Sequence, residues 1–217
     1  MNNRLQTAPE SILARNYEKI QKLEEYVSKN MVNRPYHNYS HALDARKAFS
    51  EIAEKEGLYS EGVFIGISAM TIHDLITVPY AKDNEERTIE EARKVLPAFG
   101  YNSYEVDEIL KIIYATKVGV EPCSLLEKIA KDADTENLGR DDFLDKNDAV
   151  RSELGLPQNV KWYDGTMKFM QSHKFYTKTA QKLRNEKKIE NMNVMNTLIE
   201  AALDLVPDNA SYIVEAD

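Results

Sequence analysis

The chain has 217 residues, 42% hydrophobic and 29% charged, the composition of one soluble globular domain with a substantial core. Its formal charge of −8 excludes a sequence-independent nucleic-acid binder, which needs clustered lysine and arginine, yet leaves room for a small anionic substrate beside a local cation. No apolar run is long enough to cross a bilayer, the opening MNNRLQTAPESIL has no signal-peptide core, and the single cysteine, Cys123, rules out an internal disulfide framework and fits a cytoplasmic protein.

Helical periodicity runs through almost the whole chain. In SILARNYEKIQKLEEYVSKN, Ser11 is an N-cap candidate, and Ile12, Leu13, Tyr17, Ile20, Leu23 and Tyr26 form one apolar stripe. A second helix is expected to start after Pro35 and to end at Gly57. A third, SEGVFIGISAMTIHDLI, is apolar nearly all round and reads as the buried central helix, with Pro79 barring its continuation. NEERTIEEARKVLPAFG opens with Asn84, Glu85 and Glu86, acids that suit a helix N-terminus. SYEVDEILKIIYATK shows Val106, Ile109, Ile112 and Ile113 on one face, and a loop with Gly119 and Pro122 precedes SLLEKIAKDADTENLG. Cys123, in VEPCSLL, reads as a small residue at that helix start rather than as a nucleophile. DDFLDKNDAVRSELG, a long segment over about 165–185 and KIENMNVMNTLIEAALDLV complete the chain. No segment alternates as a strand does. The expected fold is all-α, one orthogonal helical bundle spanning 1–217 without repeat or linker.

Three of the four histidines fall in a short set of motifs: His37 and His41 in HNYSH, and His73 beside Asp74; a distant carboxylate follows in KDADTENLG. Imidazoles and carboxylates together suit one divalent metal. On a helix His37 and His41 would lie one turn apart, about 40° in rotation and roughly 6 Å in rise. The spacing is that of the zinc-protease motif HExxH, but Asn38 stands where that motif needs its glutamate. His73 and Asp74 could both reach an ion at a helix edge, or Asp74 could instead orient a ligand. Taken singly, a histidine in an apolar helix is more often core than ligand; the ordered set favours a metal site.

YHNYSHALDA, HDL, KDNEERTIEEA, YATK and KDADTENLG, in that order from about Tyr36 to Gly139, resemble the HD superfamily of metal-dependent phosphohydrolases. The match is closest to its small helical members with a YHNxxH…HD…NEE…DAD pattern, and continues more weakly through VRSELG and the basic C-terminal helices. The resemblance implies an HD-type helical domain, with a motif-bearing core over about 31–140 and C-terminal helices over 141–217 packed on it. It implies that His41, His73, Asp74 and Asp134 hold one divalent ion, with Mn²⁺, Fe²⁺, Co²⁺, Ni²⁺, Mg²⁺ and Zn²⁺ all compatible. Asp132 is then a supporting or helix-terminus group, and the reverse assignment stays open. Two-metal relatives insert histidines between the HD pair and the last aspartate, and this chain has none from Leu75 to Ala133.

His37 resembles the histidine that protonates a leaving group in related phosphodiesterases; its other reading is to orient the metal ligands. Glu85 and Glu86 are candidates to accept a proton from metal-bound water, set against an ordinary role at a helix start. Lys117, Arg184 and Lys187 are candidate phosphate-binding cations, although basic residues on helices are usually solvated. The basic segment with His173 reads as a lid or, better, as a packing helix with Phe175, Tyr176, Ala180 and Leu183 inward, and Trp162 and Tyr163 read as packing residues that could also stack on a base. Leu75, Ile76, Thr77 and Val78 follow the HD pair where monophosphate-hydrolysing relatives often have an acid, and Lys117 stands where some have histidine. The expected function is phosphohydrolysis of a small phosphorylated metabolite, a nucleotide above all. The alternatives are a cyclic or linear nucleotide phosphodiesterase and a non-catalytic metal- and nucleotide-binding sensor. Helical surfaces of this kind also suit a homodimer.

Overall fold

The computed structural model describes residues 8–204, with side chains described from residue 15 onward. Among the described residues the architecture is nine α-helices with no strand: α1 Ala8–Asn30, α2 Tyr39–Lys55, α3 Ser60–Ile72, α4 Asn84–Ala98, α5 Ser103–Thr116, α6 Leu125–Asp134, α7 Phe143–Glu153, α8 Val160–Ser172 and α9 Lys178–Asp204. A 3-10 turn over Glu136–Gly139 follows α6. No described helix is long and apolar enough to cross a membrane.

Local chemistry sets most helix ends. The Asn38 side chain accepts from His41 N and starts α2. Asn102 and Glu105 form a reciprocal capping box at α5, and Ser124 caps α6, with Cys123 exposed just ahead of it. Gly57, at φ 74°, takes the left-handed conformation that closes α2. Tyr80, at φ 66°, adopts the same region without glycine's freedom, and its hydroxyl donates to the Leu154 carbonyl at 2.6 Å. That bond ties the loop after His73 and Asp74 to the end of α7.

Some expectations shift. Helix α1 begins at Ala8, so Ser11 is inside it rather than its cap; the Ile12 and Leu13 side chains lie outside those described. Tyr17 is exposed, while Leu23 and Val27 are fully buried, so the stripe turns inward only from Ile20. Helix α2 starts three residues later than Pro35 suggests because Asn38 caps it, which leaves His37 in the preceding loop. The segment 165–185 is no continuous helix: α8 ends at Ser172, a bend follows, and α9 runs from Lys178. The bend forms because buried Asp132 accepts from Tyr176 N at 2.7 Å and from Thr177 N at 2.8 Å, while the Thr177 hydroxyl caps Ala180 N.

Helix α3 is the central element, packed against α1, α2, α5 and α6 with Ile65, Ala69, Met70 and Ile72 buried. One core joins these helices through Phe49, Ile109, Ile113 and Ile129; a second, around Phe143, Met167, Met170 and Met195, joins α7, α8 and α9. Helix α9 packs on α2, α6 and the 3-10 turn and so joins the two. Close approach of α2 to α3 depends on Gly66, where a Cβ would stand 1.8 Å from Phe49 Cζ. Gly66→Ala is therefore expected to destabilise the fold by about 3 kcal/mol in urea denaturation, through overpacking. Gly165→Ala in α8 has no atom within 4 Å of its new methyl and should instead stabilise by about 0.5–1 kcal/mol.

Candidate metal centre

Three helix ends converge on four side chains. His41 projects from the first turn of α2, His73 closes α3 with Asp74 next to it, and Asp134 is the last residue of α6. One donor atom from each lies within 4.8 Å of every other. His41 Nε2 is 3.2 Å from Asp74 Oδ2 and 3.1 Å from Asp134 Oδ1. His73 Nε2 is 3.1 Å from the same two oxygens. Both imidazoles are buried, and the carboxylate side chains are about one-fifth exposed, at 17% and 20%.

This ring of contacts calls for a cation. His73 Nδ1 is 3.0 Å from the Met70 carbonyl, which can only accept, so Nδ1 carries a hydrogen. In the neutral ring Nε2 then presents a lone pair to two carboxylate oxygens, which is repulsive unless a proton or a metal ion stands between them. A single proton on Nε2 cannot serve both oxygens well. Desolvation pulls the His73 and His41 pKa values down, but Asp74 and Asp134 outweigh it and hold both above 6.5. Burial likewise opposes ionisation of the two aspartates, and the facing imidazoles overcome it, keeping both carboxyls well below 3.8. Donors in adjacent coordination positions around an ion with bonds of about 2.1 Å stand about 3 Å apart, so the residues present fit a divalent metal in spacing as well as in chemistry.

The structure separates the two DAD carboxylates. Two residues along a helix is about 200° of rotation, so they point to opposite sides. Asp134 faces the histidines, whereas Asp132 is fully buried and bonded to residues 176 and 177. Asp132 therefore acts at a helix terminus, at the start of α9.

His37 is close to the centre by a different route from the expected one. From its loop it sets its ring 5.9 Å from that of His41. Glu153, at the end of α7, holds it there: Oε1 is 2.7 Å from His37 Nδ1, and Oε2 accepts from the Tyr36 and His37 backbone N–H groups at 3.1 and 3.0 Å. Burial opposes ionisation of Glu153, but His37 and the two backbone donors bring its pKa down to about 2. Desolvation lowers the His37 pKa, and Glu153 with Asp74 more than compensates, leaving it above 6.5.

Other candidates divide. Glu85 is half-buried, and its pKa is raised first by desolvation and further by Asp74 and Glu86. Glu86 is ion-paired to Lys117, whose ammonium also reaches the Lys82 carbonyl. Arg184 is committed to Glu136 at 2.7 Å, and Lys187 to Asp141 at 2.7 Å; neither lines the cavities beside Asp134. His173 is wedged between Thr135, at 2.9 Å, and Lys188, at 3.1 Å, and burial with the Lys188 and Lys131 charges takes its pKa to about 4. Phe175 and Ala180 are buried as expected, and Leu183 and Tyr176 only half so.

A cavity of about 370 Å³ reaches the centre at Asp134 and is lined also by His37, Trp162 and Phe169, with Asn137 and Asn147 in its wall. Tyr163 points into the second core instead. Sequence reasoning missed Glu153, whose partner lies 116 residues away, and also missed Lys131, Arg140 and Lys146 near Asp134. The VRSELG match gave a faint signal for Glu153. The three cations carried none.

No family model matches the chain, and no curated protein matches its sequence. Its likeness to solved structures lies in the fold. Bacillus subtilis YpgQ in complex with ADP aligns with a TM-score of 0.67 at 18% identity, covering 89% of this chain and 98% of that one. Lin1889 of Listeria innocua aligns at 0.63 and 18% identity, covering 88% and 99%. A predicted HD superfamily hydrolase from an uncultured Thermotogales bacterium aligns at 0.50 and 21%, covering 85% and 91%. The fold is thus the all-helical HD type, as expected.

The His37–Glu153 pair has a defined pH window in metal-free protein. Glu153, at about 2 folded against 4.5 unfolded, contributes stability that is complete above pH 4.5 and fades as pH falls toward 2. His37, raised above 6.5, contributes stability that is complete below 6.5 and is lost as pH rises through its folded value. Glu153→Gln should therefore cost about 2 kcal/mol near pH 5.5 and progressively less on either side. Denaturant titrations across pH in the presence of a chelator check this; parallel profiles for the two proteins would rule it out.

Proposed function

We propose that the protein is a metal-dependent phosphohydrolase acting on a small phosphorylated metabolite, with a nucleotide as the favoured class. The observation that carries this reading is the ring of two imidazole nitrogens and two carboxylate oxygens, each nitrogen 3.1–3.2 Å from each oxygen, which meets through Asp134 a cavity large enough for a small metabolite. The ADP bound in the similarly folded YpgQ structure supports a nucleotide, as an analogy of fold.

In this reading His41, His73, Asp74 and Asp134 hold one divalent ion, which when bound supplies Lewis-acid activation of a phosphoryl oxygen and of water. The remaining work belongs to the chain's own residues. Met70, through its carbonyl, fixes the His73 tautomer with Nε2 toward the centre. Glu85 is better placed than Glu86 to accept a proton from attacking water, because Glu86 is occupied by Lys117 while Glu85 feels the Asp74 charge. Glu153, being ionised, accepts a hydrogen bond from His37 Nδ1–H and leaves Nε2 to carry a proton to a departing oxygen. Trp162 and Phe169 offer flat apolar surface for a base or other ring, and Asn137 and Asn147 offer amides to orient it. In this reading the metal donors lie within residues 31–140, Glu153 supports His37 from α7, and much of the ligand-facing wall belongs to the C-terminal helices. Phosphodiester cleavage is the second reading, favoured specifically by the His37–Glu153 pair, since poor leaving groups need an acid.

The test is a phosphate-release screen of nucleoside mono-, di- and triphosphates and cyclic nucleotides with Mn²⁺, Co²⁺, Ni²⁺, Mg²⁺ or Zn²⁺, coupled to a phosphatase to reveal diester products. Asp74→Ala is expected to abolish metal binding and to lower turnover at least about a hundredfold with the helical fold retained. His37→Gln should lower turnover of poor-leaving-group substrates by about a hundredfold and spare activated aryl phosphates. Turnover unaffected by Asp74→Ala would sink the proposal; bound metal with no turnover on any substrate would favour the sensor.

A further inference from the structure

The cleft at Asp134 has two lobes of unlike chemistry. The first is the aromatic cavity described above. The second, of about 350 Å³, lies on the other side of Val118 and Phe169 and shares Asp134 and Thr135 with it. Its wall carries Lys131, His173 and Lys174, with hydroxyls from Thr116, Thr135 and Ser172. Glu121 is at its rim and faces Lys174 at 3.5 Å, both side chains being largely exposed.

Lys131 distinguishes this lobe. It stands on α6, one turn before Asp134, and is half-buried. Its ammonium donates to the Ala115 and Lys117 carbonyls at 2.9 and 2.7 Å, at the end of α5, and has no carboxylate partner among the described residues. Two carbonyls fix the ammonium in place and leave its third hydrogen free, while Asp134, Glu121 and Glu85 act on its charge without forming an ion pair with it. Most neighbouring cations are spent: Arg140, Lys146, Arg184 and Lys117 each face a carboxylate. A half-buried, immobilised and unpaired ammonium beside a cavity is a costly arrangement for a lysine with only a structural task, because burial disfavours the charged form. It is well suited to an anion that enters the cavity, since its orientation is set before the ligand arrives.

We infer that the Lys131 lobe is a binding site for a phosphoryl oxyanion, so that an amphiphilic substrate lies across Asp134 with its apolar end against Trp162 and Phe169 and its anionic end on Lys131. The inference deepens the phosphohydrolase reading and rests on it for the identity of the anion. The charge balance agrees: a divalent ion on Asp74 and Asp134 would neutralise both carboxylates and leave Lys131 as the uncompensated charge of that wall. Thr135 lines the lobe but donates its hydroxyl hydrogen to the Lys131 carbonyl at 2.9 Å, so the anion contact falls to Lys131 itself.

The experiment is calorimetric titration of the full chain with inorganic phosphate, both chelator-treated and metal-loaded. Lys131→Gln is expected to weaken phosphate binding about tenfold in both states, with a reduced salt dependence. Because Lys131 also satisfies two backbone carbonyls, Ser172→Glu serves as an independent variant: Ser172 is exposed, and a carboxylate there should weaken phosphate binding to a similar degree. Unchanged phosphate affinity in a folded Lys131→Gln or in Ser172→Glu overturns the subsite. Asp74→Ala separates the two proposals. If it abolishes turnover while Lys131→Gln leaves phosphate affinity intact, the enzyme reading stands and the subsite falls. Phosphate binding that depends on Lys131 in a protein without turnover keeps the subsite and removes the enzyme.

Discussion

Two carboxylates, Asp74 and Asp134, stand against two histidines in a largely water-excluded place, and the rest of the molecule is arranged around keeping them there. Bringing one buried anion next to another costs several kcal/mol unless a cation is shared between them. Protons on His41 and His73 can supply part of that charge, and a divalent ion can supply all of it. The two compete for the same nitrogens, so occupancy by metal and protonation of the imidazoles are linked. Helices α2, α3 and α6 are the elements that bring the donors in, and each contributes a terminus rather than a middle turn. A helix end can aim a side chain along the axis or across it, and three ends meeting at a point give a small cluster that three parallel faces would not.

Helix termini must themselves be held, and the surrounding bonds do this. Asn38 caps α2 one turn before His41, the Met70 carbonyl fixes His73, and Asp132 draws the start of α9 onto α6. Glu153 and Tyr80 do the same for the two loops that flank the centre, one gripping the backbone at residues 36 and 37, the other joining the loop after Asp74 to Leu154. Tyr80 keeps a left-handed backbone for this, a strain of about 1 kcal/mol or more that persists because its hydroxyl is anchored.

The sequence was informative where chemistry is local. Apolar spacing at Val106, Ile109, Ile112 and Ile113 defined a buried helix face, and the scarcity of alternation excluded strands; both are properties of a few consecutive residues. The order of HNYSH, HD and DAD was equally legible, since ligand types are read directly from the chain. Helix geometry alone sets Asp132 and Asp134 on opposite faces, but which face meets the histidines depends on how α6 packs. Glu153 and His37 are 116 residues apart, and nothing in either motif names the other. The basic residues show the same limit: charge marks Arg184 and Lys187 in the sequence, but their pairing with Glu136 and Asp141 is a property of the folded chain.

That distinction also explains the division of labour along the chain. The segment from Tyr39 to Asp134 carries the four donors, and its packing is dominated by aliphatic contacts that tolerate little change, as Gly66 against Phe49 shows. The later helices contribute Trp162, Phe169 and His173 to the two lobes, and they rest on a separate core that includes Met167, Met170 and Met195. Methionine is adaptable, with three rotatable bonds and a polarizable sulfur, so this second core can accommodate changes in α8 without disturbing α3. A fold built this way can keep one metal-binding centre constant while the wall that faces the ligand varies. In the proposed reading the donors would set the reaction and the lobes the choice of ligand, since a fold by itself fixes neither.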